Sequence, residues 1–220
     1  MRAPLALIVL VTLALAACAS PPAPRLDAPR GPVISHDAPP GFEPLASLRI
    51  CPQPAPPSRP ASGADGRILA YQPVVRINGV PLLKAPARDV CLYRGVGFGR
   101  GAHEGLDLAP FPRDRIGPIF AAGDGVVIET GDRHDFGLWV LIDHGRGVYT
   151  RYAHLSSIAP GVRAGAYVTQ GVELGVMGGT GGVPVHLHYA ILTGRYDTPA
   201  RSFGLDPVDP FGLELAGLGS

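Results

Sequence analysis

Two short motifs bring together residue types that bind metal ions. His103-Glu104-Gly105-Leu106-Asp107 places an imidazole and a carboxylate four positions apart, and His186-Leu187-His188 places two imidazoles two positions apart. In an extended strand, such even spacing directs both side chains to the same face. Zinc accepts nitrogen and oxygen ligands in a tetrahedral arrangement, and three protein ligands leave a fourth position for water. Two of these histidines together with Asp107 therefore predict a metal site of the open, catalytic kind.

Histidines that are not used as ligands suit the chemistry that such a metal supports. Zinc lowers the pKa of the water it holds to roughly 7, which makes hydroxide available near neutral pH. Hydrolysis of an amide also needs a base for the water proton and an acid for the leaving amine, and an imidazole titrates in the right range. Tyr152-Ala153-His154 ends a predicted strand, so we expect His154 at a sheet edge, where a site can form. The residues thus favour hydrolysis of an amide bond.

The segments that must position these residues have the pattern of β-strands. From Gly66 onward the apolar residues recur with a period near two, and 25 of the 30 glycines lie between positions 95 and 220, as many tight turns require. The sequence predicts an all-β fold, an antiparallel sheet folded over on itself, with no amphipathic helix of ten residues after Cys18. The predicted strands cover 74–77, 80–83, 117–121, 125–130, 138–143, 148–154, 172–177 and 185–192, with hairpin turns at Asn78-Gly79 and Gly145-Arg146-Gly147.

Residues 95–192 resemble the lysostaphin/LytM-type zinc metallopeptidases, which cleave peptide cross-links in peptidoglycan. The resemblance covers nearly half of the chain and rests on four motifs in the same order. These motifs are His103-Glu104-Gly105-Leu106-Asp107, Ala121-Ala122-Gly123-Asp124-Gly125-Val126-Val127, Tyr152-Ala153-His154-Leu155-Ser156, and Gly178-Gly179-Thr180-Gly181 followed by His186-Leu187-His188. The resemblance implies a β-sandwich or half-barrel of antiparallel strands.

The same resemblance implies a role for each residue of the site. His103, Asp107 and His188 would bind one zinc ion per chain. His186 would be the general base toward the attacking water, and His154 would assist catalysis or stabilise the developing oxyanion, with the division between the two left open. His144 is expected to have a structural role and His134 to be a solvated loop residue. The tyrosine that this family can use at the oxyanion has no clear counterpart in this sequence, and Tyr93 is the nearest tyrosine upstream.

The first 18 residues have the pattern of an export signal. Arg2 is followed by an apolar stretch that is too short to span a bilayer as a helix, and Leu15-Ala16-Ala17-Cys18 resembles a bacterial lipobox. Lipidation of Cys18 would anchor the chain to a membrane, and Ala19 after it favours an outer-membrane lipoprotein facing the periplasm. The alternative is an ordinary cleaved signal with a chance cysteine.

A proline-rich stretch follows the export signal. Residues 19–60 hold 13 of the 25 prolines, so we expect residues 18–60 to form a disordered tether. In an exported protein, the two remaining cysteines, Cys51 and Cys91, predict a disulfide that pins the end of the tether to the domain, with two reduced thiols as the alternative.

The charge of the chain excludes one class of partner. The formal net charge is +1 and no basic run of five residues is present, so nucleic acid is not an expected partner.

The predicted boundaries are 1–17 for the signal peptide, 18–60 for the tether, 61–94 for a β-hairpin lead-in, 95–195 for the zinc peptidase domain and 196–220 for an irregular tail.

Two function classes follow from these observations. The first is a zinc-dependent endopeptidase that hydrolyses amide bonds in the cross-link or stem peptides of peptidoglycan during cell-wall remodelling. The second is a non-enzymatic regulator on the same fold that activates a cell-wall amidase. The presence of all three ligand positions and of both further histidines favours the enzyme. A zinc carboxypeptidase or dipeptidase fits the motif spacing poorly.

Overall fold

The computed structural model describes residues 33–34, 43–52, 60, 62–97, 103–197 and 201–212, without the side chains of the first two and of 201–202. The predicted signal peptide, Cys18 and most of the predicted tether lie outside these residues. Across the described ranges, no helix is long and apolar enough to cross a membrane.

Nearly all regular structure in these residues is extended, and the only helix described is a 3₁₀ turn at Arg201–Gly204. The strands are β1 (Val33–Ile34), β2 (Val74–Ile77), β3 (Val80–Leu83), β4 (Val90–Arg94), β5 (Leu106–Pro110), β6 (Pro118–Phe120), β7 (Gly125–Arg133), β8 (Gly137–Asp143), β9 (Val148–Leu155), β10 (Ser157–Ile158), β11 (Tyr167–Val168), β12 (Glu173–Val176), β13 (Leu187–Gly194) and β14 (Leu205–Val208). The all-β prediction is confirmed.

One large sheet organises the domain. Its strands lie in the order β1-β11-β7-β8-β9-β13-β5-β4, with β14 added to β13, and all pairs except β1–β11 are antiparallel. A small sheet of β10, β12 and β6 and the β2–β3 hairpin complete the described architecture. Strands that are distant in sequence, such as β5 and β13, thereby become neighbours at the centre of the site.

Both predicted hairpin turns are present. Asn78 and Gly79 have φ angles of 49° and 81°, as a two-residue turn with two left-handed positions requires, and β2 and β3 pair across them. β8 and β9 pair across the second turn, where Gly145 and Gly147 also have positive φ. These turns fix the register of the strands that they join.

Apolar residues pack on both faces of the large sheet. The larger cluster includes Leu82, Leu108 and Ile142, all inaccessible to solvent. A smaller aromatic cluster on the opposite side is centred on Trp139, whose ring stacks on Phe203 at 5.2 Å between centroids. Burial on two sides holds the central strands, which carry the site residues, in one position.

The C-terminal end of the predicted tether is folded against the domain and is not a disordered chain. Leu48 and Ile50 are buried, and Arg49 and Cys51 hydrogen-bond through their backbones to Leu92 of β4. The predicted disulfide is present between Cys51 and Cys91, with 5.0 Å between the Cα atoms. Apolar burial and the cross-link therefore make this segment part of the fold, although proline content alone favours an extended chain.

The predicted irregular tail also contributes regular structure. β14 pairs with the second half of β13 from Ile191 to Gly194, and Leu205 and Phe203 pack in the aromatic cluster. Pro207 lies in this strand, where proline is tolerated because only one edge of β14 pairs with a neighbour in the described sheet. The tail thus supports β13, the strand that begins at the site.

Candidate metal centre

Two central strands and the segment that precedes one of them bring the three predicted ligands together. Asp107 of β5 lies directly opposite His188 of β13, and directly opposed residues project to the same face of a sheet. His103 stands four residues before Asp107. The chain distance of 85 residues between His103 and His188 is closed by this strand pairing.

The ligating atoms of these residues converge tightly. His103 Nε2 lies 2.9 Å from Asp107 Oδ1 and 3.1 Å from His188 Nδ1, and the latter two atoms are 3.1 Å apart. Two ligands of a tetrahedral zinc ion are about 3.3 Å apart, because each zinc–ligand bond measures about 2.0–2.1 Å. The three side chains could therefore hold one metal ion with little adjustment.

Hydrogen bonding around the ligands supports this interpretation. His103 Nδ1 donates to the carbonyl oxygen of Gly95 at 2.8 Å, which leaves a lone pair on Nε2 facing the cluster. The other two atoms of the cluster are the Asp107 carboxylate oxygen and the His188 Nδ1 nitrogen. The three atoms together carry too few protons for every contact among them to be a hydrogen bond. His188 Nε2, in turn, is buried without a hydrogen-bond partner in the described residues. A cation would satisfy the three converging lone pairs.

Close packing of the backbone also holds the His188 ring. A Cβ atom at Gly105 would come within 3.0 Å of His188 Nε2 and 2.7 Å of the Tyr189 carbonyl oxygen. No side chain fits at this distance, so only glycine lets the segment between His103 and Asp107 lie against β13. This close approach explains why a glycine stands at the centre of the motif.

The protonation states suit metal binding. Although burial alone would raise the pKa of Asp107, the short contacts of its carboxylate with the ring nitrogens of His103, His186 and His188 outweigh it and hold the pKa well below its ordinary value. Burial lowers the pKa of His188 to about 4, despite the neighbouring Asp107 carboxylate. Asp107 is thus ionised and His188 neutral near pH 7, as ligands must be.

Two more histidines face the same cluster. His186 Nδ1 donates to the Pro184 carbonyl oxygen at 2.7 Å, and its Nε2 lies 3.4 Å from Asp107 Oδ1. His154 Nδ1 donates to the Thr180 carbonyl oxygen at 2.9 Å, and its ring centroid lies 4.8 Å from that of His186. His154 Nε2 is therefore available, whereas His186 Nε2 faces the Asp107 carboxylate, and neither residue belongs to the three-residue ligand group.

The two rings have different electrostatic surroundings. Burial lowers the pKa of His154. Burial also opposes protonation of His186, but its hydrogen bond to the Asp107 carboxylate raises the pKa above the ordinary value. His154 has a φ of 64°, and this left-handed conformation at the end of β9 departs from the regular strand. The predicted placement of His154 at the end of a strand is confirmed.

All five residues line one open cavity of about 1080 Å³. Its walls include the Cys51–Cys91 disulfide, Tyr93 and Arg94 of β4, and the segments 109–113 and 183–185. A polypeptide could therefore approach the cluster along the face of β4 and β5. The wall from β4 was not predicted from the sequence, because the irregular pairing of that strand with β5 depends on tertiary contacts.

Arg151 was also not singled out from the sequence. It is fully buried on β9, its guanidinium lies 4.2 Å from the centre of the Phe136 ring, and Nη2 is 3.4 Å from Glu104 Oε2. Glu104 directly follows the candidate ligand His103, so this contact ties the ligand segment to β9. No motif signals the contact, because it joins positions 47 residues apart in sequence.

The fold and the site together define a β-sheet domain with a His-Asp-His cluster that could hold a metal ion and two histidines beside it. Residues 101–201 match Peptidase family M23. These residues form an M23 peptidase domain, and the predicted resemblance is confirmed.

Curated relatives match the same part of the chain. Peptidoglycan DD-endopeptidase ShyA of Vibrio cholerae is 42% identical over 92 residues, which cover 41% of this chain and 20% of the relative. DD-carboxypeptidase/endopeptidase Mpg of Neisseria meningitidis is 39% identical over 114 residues, which cover 51% of this chain and 23% of the relative. The chain thus matches about a fifth of the length of these relatives.

Solved structures also align with part of this chain. The catalytic domain of the antimicrobial peptidase lysostaphin from Staphylococcus simulans aligns with a TM-score of 0.44 and 26% sequence identity. The alignment covers 55% of this chain and 88% of that domain.

Proposed function

We propose that this protein is a zinc-dependent endopeptidase that hydrolyses amide bonds in the cross-link or stem peptides of peptidoglycan. The observation that carries the proposal is the convergence of His103, Asp107 and His188 within 3.1 Å, beside His154 and His186 and at the wall of an open cavity. The name of the relative ShyA, a peptidoglycan DD-endopeptidase, supports peptidoglycan as the substrate.

The donor set fits zinc. Two imidazole nitrogens and one carboxylate oxygen form a ligand set that zinc accepts in catalytic sites, and three ligands leave a fourth position open. When bound, zinc supplies Lewis acidity, which polarises a carbonyl group and lowers the pKa of water to roughly 7. The contact of His103 with the Gly95 carbonyl orients its ring for this role.

His186 and His154 then carry the proton transfers. His186 Nε2 accepts the proton of the attacking water, and the raised pKa of this residue places it nearer neutrality than a fully desolvated imidazole. His186 then returns this proton to the nitrogen of the leaving amine. His154 Nε2 carries no proton while Nδ1 donates to Thr180, so His154 would take a proton from solvent, against the effect of burial on its pKa, before it could hydrogen-bond the substrate oxygen that gains negative charge. The Pro184 and Thr180 carbonyl oxygens hold both rings by their Nδ1 atoms throughout.

We further propose that the protein acts in the cell envelope as an outer-membrane lipoprotein that faces the periplasm. The lipobox-like Leu15-Ala16-Ala17-Cys18 supports lipidation at Cys18. The Cys51–Cys91 disulfide supports an oxidising compartment, since such bonds are rare in the cytosol. A Cys18→Ala variant should leave the membrane fraction on cell fractionation; unchanged partitioning contradicts lipidation.

Digestion of purified sacculi tests the enzymatic proposal. We expect the zinc-loaded protein to release new muropeptides, identified by mass, that end at a hydrolysed peptide amide. The His186→Ala variant should keep its zinc and lose activity by about 10²- to 10⁴-fold, because it lacks a general base. His134→Ala is the matched control, since His134 is exposed on a turn away from the cavity.

The same assay separates the enzyme from a regulator. A zinc-loaded sample that releases no fragment alone, but increases the fragments released by an added cell-wall amidase, would overturn the endopeptidase and favour the non-enzymatic activator.

A further inference from the structure

A β-bulge interrupts the pairing of β9 with β8 beside the candidate metal centre. Two residues of β9, Ala153 and His154, lie opposite the single residue Trp139 of β8. The second of them has a φ of 64°, a left-handed conformation that residues other than glycine seldom adopt. β4 has a bulge of its own at Tyr93, where it pairs with β5. Bulges are common next to active sites, where they change the direction of a side chain.

The bulge in β9 decides which face of the sheet the His154 ring occupies. In a regular strand, His154 would project to the same face as Tyr152, which packs in the larger apolar cluster. The extra residue instead places its ring centroid 4.8 Å from that of His186 and 5.9 Å from that of His188. The next residue, Leu155, again packs in the larger cluster. The place of His154 beside the metal centre therefore depends on this bulge.

The side chain of Thr180, from the loop between β12 and β13, closes the bulge. Its hydroxyl donates to the Leu155 carbonyl oxygen at 2.7 Å and accepts from the Leu138 N–H at 2.9 Å. These two residues pair directly with each other next to the extra residue, so one hydroxyl joins both strands where their regular pairing stops. A Cβ atom at Gly137 would overlap the Thr180 hydroxyl and carbonyl, so this close approach requires the glycine.

The backbone of the same loop holds the two histidines beside the ligands. The Thr180 carbonyl oxygen accepts a hydrogen bond from His154 Nδ1 at 2.9 Å, which leaves Nε2 for the cavity that His154 lines. The Gly178 carbonyl oxygen accepts one from the His186 N–H at 3.0 Å. Because the hydroxyl and the carbonyl belong to one residue, a shift of the Thr180 side chain also moves the acceptor of the His154 ring.

We infer that Thr180 is a positioning residue, whose hydroxyl fixes the loop to β8 and β9 so that its carbonyl oxygen orients the His154 ring. The inference rests on the proposed function, because it assigns a residue that prepares the same site for hydrolysis. A methyl group of similar size cannot replace this hydroxyl, since it would leave the Leu138 N–H and the Leu155 carbonyl without their partner.

Substitutions that separate the hydroxyl from the methyl group of Thr180 provide the test. In the full-length, zinc-loaded protein, Thr180→Val should lower kcat by about 10- to 100-fold, as a small misplacement of a catalytic group does. The KM for a cross-linked muropeptide dimer and the zinc content should change little, because Thr180 belongs neither to the cavity wall nor to the ligand group. Thr180→Ser keeps the hydroxyl and should restore most of the wild-type kcat.

A matched variant controls for the loss of a threonine hydroxyl. Thr130 is half-buried on β7, outside the cavity, and its hydroxyl makes no hydrogen bond to a described residue, so Thr130→Val should keep the wild-type kcat. Equal losses of kcat in Thr180→Ser and Thr180→Val would overturn the inference, because the hydroxyl would then not matter. A loss of zinc in Thr180→Val would mean a general structural role and overturn it as well.

The protonated nitrogen of the His154 ring reports this role without any turnover. Long-range ¹H–¹⁵N spectra of protein labelled at histidine, with His154 assigned by its absence in His154→Gln, should show the proton at Nδ1 alone in the wild type. Thr180→Val should show a mixture of the two tautomers. A mixture already present in the wild type would overturn the inference, whether or not Thr180→Val folds.

The two measurements separate this inference from the proposed function. If the wild-type protein cleaves no dimer but the tautomer still differs between wild type and Thr180→Val, the endopeptidase proposal fails and the positioning role stands. If the wild type cleaves the dimer and Thr180→Val changes neither kcat nor the tautomer, the positioning role fails alone.

Discussion

Two histidines in different parts of the domain, His144 in the turn after β8 and His188 on β13, differ in what their ring nitrogens meet. His144 Nδ1 donates to the Asp124 carbonyl oxygen at 2.7 Å, and Nε2 lies 2.7 Å from the Thr150 hydroxyl. That hydroxyl is 3.0 Å from the Tyr152 hydroxyl, which accepts a hydrogen bond from Ala122 N–H at 2.7 Å. Every polar atom of this chain of contacts therefore has a partner that can share a proton with it.

His188 is different, although burial lowers the pKa of both histidines to about 4. Its Nδ1 meets a carboxylate oxygen and an imidazole nitrogen, and its Nε2 has no partner in the described residues. Burial and a lowered pKa thus do not distinguish a structural histidine from a metal ligand. What distinguishes the metal ligand is that its ring nitrogen meets other lone pairs and that too few protons are present to form hydrogen bonds among them.

Replacing each histidine in turn should give the largest contrast. His188→Ala should lose zinc, from about one ion per chain to almost none, because two ligands hold the ion far more weakly than three. His144→Ala should retain zinc, since none of its contacts involves the candidate ligands. Metal analysis after gel filtration measures both. Equal zinc content in the wild type and His188→Ala would reject the ligand assignment.

Removal of one hydroxyl should affect stability but leave the metal in place. Tyr152→Phe leaves the buried Ala122 N–H without its acceptor, so we expect the free energy of unfolding to fall by about 1–3 kcal/mol. Urea denaturation measures the change, and zinc content should be unaltered. Tyr167→Phe is the control, because no hydrogen bond to a described residue is lost there. A loss of zinc in Tyr152→Phe would mean that the two clusters are coupled.

The pH dependence of stability should show a smaller effect. The unfolded chain binds a proton at His144 near pH 6.5, whereas the folded protein resists it until about pH 4 because the ring is buried. This contribution to stability is complete above pH 6.5 and is lost as the pH falls toward 4. His144→Gln should therefore make the free energy of unfolding depend less steeply on pH in this range, by the equivalent of up to about one bound proton.

Denaturation of the zinc-free protein at a series of pH values measures this slope. The titration of His188 is common to both proteins and cancels in the comparison. His134→Gln, a substitution at an exposed turn position, should keep the wild-type slope. Identical slopes in the wild type and His144→Gln would contradict a buried, neutral His144.

Much of the site could be predicted from local patterns. The even spacing within each motif places its side chains on one face, and the turn residues predict the hairpins that fix β2, β3, β8 and β9. The β-bulge at Tyr93 could not be predicted in this way, because it depends on how β4 pairs with β5. The contact between Arg151 and Glu104 joins distant segments and leaves no periodic signal either.

The sequence by itself determined the residue types of the metal centre, the strand that carries His188 and the cysteines that form the disulfide, whereas the strand that carries Asp107 was not among those predicted. Short-range spacing suffices for these features, since side-chain direction in a strand alternates with a fixed period. Only the tertiary structure decided which nitrogen faces which oxygen, which histidine has both ring nitrogens satisfied, and that Arg94 shares the cavity. Those outcomes depend on strand register, and register is set by contacts between segments up to 85 residues apart.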